Sequence, residues 1–347
     1  MGLDSYFTLR KIKCTNKLRE VEKELPIFCT EFFIGIENKT SALTRLGYAQ
    51  DLKIFFYYLV EEVRQFQGLK PYEFSMRELN MVTETHIEQY LSYLTSYERN
   101  GETYTNSVSA KARKLSAIRT MFTYFYKKNK LSENVTEKVF SPKIAEKEIV
   151  RLEADEVSKI LDVAEFGKGL RGNQIGYNKI TSKRDLAILT LFLGTGIRIS
   201  ELVGLDIEDV DFSANAFTIT RKGGARVILY FSEEVAHALK LYLKERNANE
   251  KVPKDESAMF LSTRNQRLCV RAVEKLVKKY AKIASPLKRI TPHKLRSTYG
   301  TSLYRETKDI YVVANVLGHR DVNTTKKHYA AISEDIRRDA STKVKLR

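Results

Sequence analysis

Cysteine is scarce in this sequence, and its few copies are poorly placed for a structural role. Cys14, Cys29 and Cys269 are an odd number of widely separated residues, and no CxxC pair occurs. Disulfide-rich folds and structural zinc sites both rely on cysteines at short, regular spacings. The cysteine content therefore argues against both classes and favours a protein of the reducing cytoplasm.

Long apolar runs are also missing. No stretch approaches the ~20 consecutive apolar residues that a transmembrane helix needs. The stretch MGLDSYFTLRKIKC lacks a long apolar segment with a small-residue cleavage site, so it does not resemble a secretory signal. The sequence therefore predicts a cytoplasmic protein that does not act in a membrane.

The usual motifs of nucleotide and metal chemistry are absent as well. The P-loop pattern GxxxxGK[ST] does not occur, GTGIR does not match GxGxxG, and there is no GxSxG motif. No obvious cluster of carboxylates is suited to two metal ions. An enzyme with this sequence is therefore expected to work without a metal, ATP or another cofactor.

Positive charge is what the sequence has in excess. It carries 60 Lys and Arg against 43 Asp and Glu, a net charge of +17, and both signs are spread along the chain. A folded protein with this excess usually binds a polyanion, and nucleic acid is the leading candidate. A merely basic cytoplasmic protein, or one that binds anionic lipid, is the alternative.

The length and the apolar pattern indicate two domains. In the first, apolar residues at helical spacing predict helices over 41–63, 85–98 and 107–129, with a loop at 100–106. A polar stretch of mixed charge near 140–150 is predicted to link the domains. The first domain is thus predicted to be a small helical unit with an aromatic core.

The second domain combines helices with a small sheet. A Gly-rich loop is predicted for 166–182, and a long apolar helix for 183–205 that breaks at the GTG sequence. Alternating apolar residues in 210–220 and 226–231, joined by RKGGA, predict a β-hairpin. The fold class is therefore mainly α with a small β-sheet.

Basic residues around the third helix are candidates for contact with DNA. In that helix Leu115, Ile118, Phe122 and Phe125 form the apolar stripe. The candidate DNA-binding residues are Lys111, Arg113, Lys114 and Arg119. The alternative is a set of solvated charges around a helix that faces the core.

A second group of residues has the chemistry that attack on a phosphodiester by a phenol requires. The candidates are Arg198, Lys222, His293, Arg296, His319 and Tyr329. Two guanidiniums can grip the non-bridging oxygens and replace a metal ion. A lysine on a turn can protonate the departing 5′-oxygen, and histidines can exchange protons or bind the phosphate.

Each of these residues also has an ordinary structural interpretation when taken alone. Arg198 fits an ion-pair partner of Glu201, His293 fits a residue at a helix start, and Lys222 fits an exposed turn. The ordered set is harder to explain in this way, because all the residues of one reaction occur in the same half of the chain.

The motifs GTGIRISEL, RKGG, HKLR and LGHRDVNTTKKHY, in this order, resemble those of the tyrosine recombinases, or phage integrase family. The resemblance implies that Arg198, Arg296, His293 and His319 stabilise the transition state and that Lys222 is the general acid. It implies that Tyr329 is the nucleophile. The step from His319 to Tyr329 is ten residues, where many members have nine, and His328 occupies the nine-residue position.

The resemblance also implies how the chain is organised. The implied segments are a basic N-terminal segment (1–25), a helical core-binding domain (26–140), a linker (141–150), an α+β catalytic domain (151–333) and a C-terminal tail (334–347). In this family two domains clamp double-stranded DNA, and four protomers act on two DNA sites. The short segment 1–25 favours Xer-like or mobile-element members over those with a full arm-binding domain.

The sequence therefore predicts a site-specific DNA recombinase that works through a 3′-phosphotyrosyl intermediate. A type IB topoisomerase, which relaxes DNA by the same chemistry without partner protomers, is one alternative. A DNA-binding protein without catalytic activity is the other.

Overall fold

The computed structural model describes residues 6–145, 150–221 and 224–318. The chain divides into two compact units, Met1–Lys147 and Glu148–Arg347, and the division falls inside the predicted linker. Helices predominate in both units, and each unit holds a small antiparallel sheet, which confirms the predicted fold class. In the described part of the chain, no helix combines the length and hydropathy required to cross a membrane.

The first unit is a set of helices around an aromatic core. Its elements are α1 (Tyr6–Glu22), α2 (Phe28–Gly35), α3 (Ala42–Glu62), α4 (Met76–Asn80), α5 (Glu84–Tyr93), β1 (Ser96–Arg99), β2 (Glu102–Thr105) and α6 (Val108–Lys127). Phe28 of α2 meets Phe56 of α3 and Phe125 of α6 edge to face, with ring centroids 5.9 and 5.4 Å apart. Such contacts stabilise a core by about 0.5–1.5 kcal/mol each beyond the area they bury.

The first and third predicted helices are confirmed as α3 and α6. Each begins after a serine whose hydroxyl accepts from the backbone N–H three residues on, Ser41 from Thr44 and Ser107 from Ala110. Such caps satisfy donors that a helix start leaves unpaired. All four residues of the apolar stripe in α6 are buried, as predicted.

In the segment 1–25, predicted as a separate basic stretch, the described residues from Tyr6 to Glu22 form helix α1 of the first unit. Cys14, Leu18 and Leu25 are buried in its core, and Val21 packs against the same cluster. Cys14, Leu18 and Val21 follow the helical repeat i, i+4 and i+7 on α1, which packs against α3. The basic residues between them conceal this pattern in the sequence.

The second predicted helix is wrong at its end. The helix α5 ends at Tyr93, and β1 and β2 then pair as a hairpin across the predicted loop. Asn100 and Gly101 form its turn with φ of 54° and 75°, the left-handed backbone that a tight hairpin turn needs. The Asn-Gly dipeptide is therefore the sequence signal for this hairpin.

The second unit packs helices around one long helix, Asn173–Thr195, and also holds a three-stranded sheet. Its elements are α7 (Ala154–Phe166), α8 (Asn173–Thr195), α9 (Ile199–Gly204), β3 (Val210–Asp211), β4 (Ala216–Thr220), β5 (Arg226–Tyr230), α10 (Glu233–Asn247), α11 (Val270–Ala284), α12 (Pro292–Thr307) and α13 (Ile310–Leu317). The predicted hairpin is confirmed, since β4 pairs antiparallel with β5 from Ala216↔Tyr230 to Thr220↔Arg226.

The predicted loop 166–182 is wrong over most of its length, because α8 already begins at Asn173. Only the Gly-rich part between α7 and α8 is non-helical. The side chain of Asn178 is buried and donates to Ala164 O at 2.9 Å and to the Tyr280 hydroxyl at 3.0 Å. One polar residue of the predicted loop, Asn178, therefore forms hydrogen bonds inside the second unit.

Candidate active site

Arg198 stands where one helix ends and the next begins. The helix α8 ends at Thr195 and is capped by Gly196, and Arg198 is the residue that precedes α9. Glu201 accepts from the Arg198 backbone N–H and from its guanidinium, both at 2.9 Å. The Glu201 side chain is only 4% exposed against 36% for Arg198, so a buried carboxylate orients a guanidinium that still reaches solvent.

Arg296 approaches the same place from α12. It lies one helical turn after His293, an exposed residue in the first turn of that helix. The Arg296 guanidinium is buried and donates from Nη1 to Gly196 O and from Nη2 to Leu317 O. One side chain thereby connects the end of α8 with the end of α13.

Carbonyl groups at the end of α13 are the common acceptors of this site. Arg198 Nη2 donates to Leu317 O at 3.3 Å and to Gly318 O at 3.0 Å, and Arg296 donates to the first of these oxygens. The last carbonyls of a helix lack partners within the helix and carry partial negative charge. The guanidiniums satisfy them and are held together at the residue that precedes His319.

A third guanidinium, which the sequence interpretation did not single out, reaches the same helix end. Arg221 is the last described residue before the hairpin turn, and its Nη2 donates to Val316 O at 2.8 Å. Burial lowers the pKa of Arg221, the Glu201 carboxylate opposes this effect, and the Arg198 charge adds to it. In the sequence Arg221 directly precedes Lys222, in the RKGG motif.

Gly196 makes this convergence possible. Its φ is +62°, and a Cβ there would lie 2.5 Å from Tyr299 Cδ1 and 2.8 Å from Leu317 Cδ2. The glycine thus permits both the left-handed end of α8 and the close approach of α12 and α13. This is the physical reason for the second glycine of the GTG sequence.

Gly196→Ala is expected to lower the free energy of unfolding by about 2–4 kcal/mol, because it adds left-handed strain to an overpacked contact. The matched control is Gly176→Ala in the same helix, where no described atom lies within 4 Å of the added Cβ. Gly176→Ala should raise the free energy of unfolding by ~0.5–1 kcal/mol. Urea unfolding of both variants checks the pair, and equal effects would contradict the role given to Gly196.

Three predicted catalytic residues lie outside the described residues, namely Lys222, His319 and Tyr329. The structure brings together Arg198 and Arg296 at α13 and adds Arg221 to them. It places His293 on the same helix as Arg296. Three guanidiniums reach the end of α13, and the one of Arg198 is paired with the buried carboxylate of Glu201. Their combined positive charge suits a phosphate.

The predicted DNA-binding residues on α6 differ in how far they reach solvent. The Lys114 ammonium is buried and lies 3.3 Å from Asp51 Oδ1, and Arg113 contacts the other oxygen of that carboxylate. Burial raises the pKa of Asp51 against the effect of Lys114 and Arg113. The Arg113 side chain is 55% exposed, so it remains accessible, whereas Lys114 is held inside the unit.

The other two candidates on α6 donate hydrogen bonds to neighbouring residues of the first unit. Lys111 Nζ donates to Thr95 Oγ1 at 2.7 Å, and the Arg119 guanidinium donates to Val139 O and to the Ser141 hydroxyl. These bonds hold Arg119 against the chain that follows α6. Of the four candidates, Arg113 therefore has the most accessible charge.

Comparison with known proteins places these features in a family. Residues 150–335 match the model of the phage integrase family. The chain is 33% identical over 306 residues to the tyrosine recombinase XerC of Caldanaerobacter subterraneus subsp. tengcongensis, covering 86% of this chain and 80% of that protein. It is 28% identical over 361 residues to the tyrosine recombinase XerS of Streptococcus gordonii, covering 97% and 100%.

A solved structure has a similar fold. The XerH site-specific recombinase bound to palindromic difH substrate superposes with a TM-score of 0.67 at 19% identity. The match covers 95% of this chain and 87% of that one. At this identity the similarity supports the fold and nothing finer.

Proposed function

Because the chain belongs to the phage integrase family and is an enzyme of site-specific DNA recombination, we propose that it cleaves and rejoins double-stranded DNA through a 3′-phosphotyrosyl intermediate. The observation that carries the proposal is the convergence of Arg198, Arg296 and Arg221 on the end of α13. That helix end leads directly into His319 and the segment that holds Tyr329.

The proposed reaction conserves the bond energy of the phosphodiester. The Tyr329 phenol passes its proton to a histidine, His293 or His319, and attacks phosphorus. The bond to the 5′-oxygen breaks, and Lys222 gives that oxygen a proton. Arg198 and Arg296 stabilise the negative charge that grows on the non-bridging oxygens, and His293 and His319 bind the phosphate or exchange protons. The reverse reaction with another strand's 5′-hydroxyl rejoins DNA without ATP.

The proposed partner is double-stranded DNA, in line with the net charge of +17 and with the solved XerH complex on difH substrate. Arg113 is the strongest candidate for a phosphate contact on α6, because its side chain is 55% exposed although its Nη1 contacts Asp51. Lys111 and Arg119 would have to leave their present partners to reach DNA. Phosphate contacts of this kind give salt-dependent affinity and little sequence choice.

We further propose that four protomers assemble on two DNA sites and that the enzyme is a cytoplasmic member of the Xer-like or mobile-element type. The tail 334–347 has the length and charge of a helix that docks on a neighbouring protomer. The mass of the complex with two-site DNA, measured by sedimentation, tests the assembly. A complex of unchanged mass after deletion of 334–347 would argue against a docking role for the tail.

The direct test of the function is capture of a covalent protein–DNA adduct. Nicked duplexes that tile the DNA flanking the encoding gene are incubated with the protein in a metal chelator, and adducts are separated in denaturing gels. We expect one tile to form a protein–DNA band whose cleavage site maps to a single position. Loss of the band in chelator, or adducts on every tile together with relaxation of plasmid DNA, would contradict a metal-independent site-specific recombinase.

A further inference from the structure

We propose that Arg221 is a positioning residue that fixes the RKGG turn against the end of α13 and thereby sets the position of the general acid, Lys222. The inference rests on the proposed function, because Lys222 has a role only if a 5′-oxygen must be protonated. It adds a residue that the motif resemblance does not assign.

The backbone of Arg221 is held by the hairpin that presents the turn. Its N–H donates to Ala225 O at 2.9 Å, and its carbonyl accepts from Gly224 N–H at 3.0 Å. The adjacent strands are in register up to the pair Thr220↔Arg226. The start of the turn therefore has a defined position relative to β4 and β5.

The side chain of Arg221 leaves the hairpin and contacts α13. Its Nη2 donates to Val316 O at 2.8 Å, and its guanidinium lies so close to Gly318 that any Cβ there would overlap Nη1. Gly318 has a φ of +62°, which favours glycine, and a side chain there would displace the Arg221 guanidinium. Arg221 thus contacts both residues that flank Leu317, whose carbonyl binds Arg198 and Arg296.

The Arg221 contact has an energetic cost, from which we infer that it does more than hold the hairpin in place. Arg221 Nε is buried and has no hydrogen-bond partner among the described residues. Partly burying a guanidinium near the charge of Arg198 is unfavourable, and an apolar side chain would hold a hairpin at lower cost. The Arg221 guanidinium joins the hairpin to the end of α13. The chain continues from the first of these elements into Lys222 and from the second into His319, both predicted catalytic residues.

The mechanism by which Arg221 would act is specific to one chemical step. Lys222 is the next residue in the chain, so movement of the turn changes the distance between its ammonium and the departing 5′-oxygen. Removing Arg221 should therefore slow proton donation more than attack by the phenol. A substrate whose leaving group needs no proton should be insensitive to the loss.

The test compares two leaving groups in the Arg221→Met variant. Methionine keeps the length and apolar contacts of the stem but removes the guanidinium, which limits the effect on folding. We expect single-turnover cleavage of a normal nicked duplex to fall by about 10²-fold, the lower range for general acid catalysis. Cleavage of a duplex with sulfur in place of the bridging 5′-oxygen should stay within about threefold of wild type, because a thiolate leaves without a proton.

The controls separate this role from stability and charge. Arg226→Met removes an equal charge from the same hairpin, where the side chain is exposed, and should cleave both substrates at the wild-type rate. Arg221→Lys should restore part of the normal cleavage, since a cation can still reach Val316 O. Circular dichroism and melting temperature report folding of each variant.

Two results would overturn the proposal. Equal losses on the oxygen and sulfur substrates would mean that Arg221 acts on the phosphate or the fold, and wild-type cleavage of both would mean that it does nothing in catalysis. Failure of the proposed function has a different signature, because the unaltered protein would then form no adduct with either substrate.

Discussion

Replacing Tyr329 with Phe is expected to abolish the covalent protein–DNA adduct while leaving DNA affinity within about threefold of wild type. The hydroxyl oxygen is the atom that would bond to phosphorus, and phenylalanine has no substitute for it. Loss of one neutral hydroxyl removes little binding energy, because affinity for DNA rests mainly on contacts between cations and phosphates. Denaturing gels measure the adduct, and filter binding at fixed salt measures the affinity.

The matched control is Tyr311→Phe. Tyr311 precedes Tyr329 in the chain and its side chain is 70% exposed on α13, so accessibility alone would make it a competing nucleophile. We expect its variant to form the adduct at the wild-type rate. Tyr299 is a poorer competitor, because burial raises the pKa of its phenol.

Tyr329 follows His319 by ten residues, whereas His328 stands at the nine-residue position common in the family. His328 is therefore the second candidate for the nucleophile. A histidine adduct would be a phosphoramidate, which acid hydrolyses, whereas a phosphotyrosine ester survives mild acid. An adduct that persists in Tyr329→Phe and is lost in acid would transfer the nucleophile to His328. Peptide mapping of the wild-type adduct decides between the two residues independently.

Repeating patterns in the sequence were enough to predict the main helices and the central hairpin. The stripe of Leu115, Ile118, Phe122 and Phe125 identified α6, and Gly-Gly between alternating apolar residues identified β4 and β5. Such patterns succeed because one face of each element must be buried. They failed for α1 and the start of α8, where buried apolar residues are fewer and charged or polar residues intervene.

In the candidate site, too, the sequence motifs predicted some residues, and only the three-dimensional structure revealed others. The sequence motifs singled out Arg198 and Arg296, and the structure brings both to the carbonyls of α13. The role of Arg221 depends on a contact with Val316 across 95 residues, which no local pattern encodes. The requirement for glycine at 196 likewise arises from Tyr299 and Leu317, which come from distant elements.

Arg296→Lys is expected to lower single-turnover cleavage by about 10²–10³-fold, the loss found when one preorganised donor of a charged transition state is removed. Lysine keeps the charge but cannot donate in two fixed directions, so it cannot hold both Gly196 O and Leu317 O as the guanidinium does. Rates with the nicked duplex under excess enzyme measure the effect.

The control is Arg305→Lys on the same helix. Arg305 is 42% exposed and lies 3.3 Å from Glu153 at the surface, where an ion pair contributes at most about 1 kcal/mol. Its variant should cleave at the wild-type rate. Because Arg296 also joins α8 to α13, its own variant should lose some thermal stability, and cleavage must be measured well below its melting temperature.

The sulfur-substituted duplex distinguishes Arg296 from Arg221. A better leaving group removes the need for a proton but leaves the negative charge on the non-bridging oxygens unchanged. Cleavage by Arg296→Lys should therefore remain slow on both substrates. In contrast, Arg221→Met should cleave the sulfur-substituted duplex at close to the wild-type rate. If sulfur restored Arg296→Lys as well, the buried guanidinium would be acting through the general acid, and the charge stabilisation assigned to it would have to come from Arg198 alone.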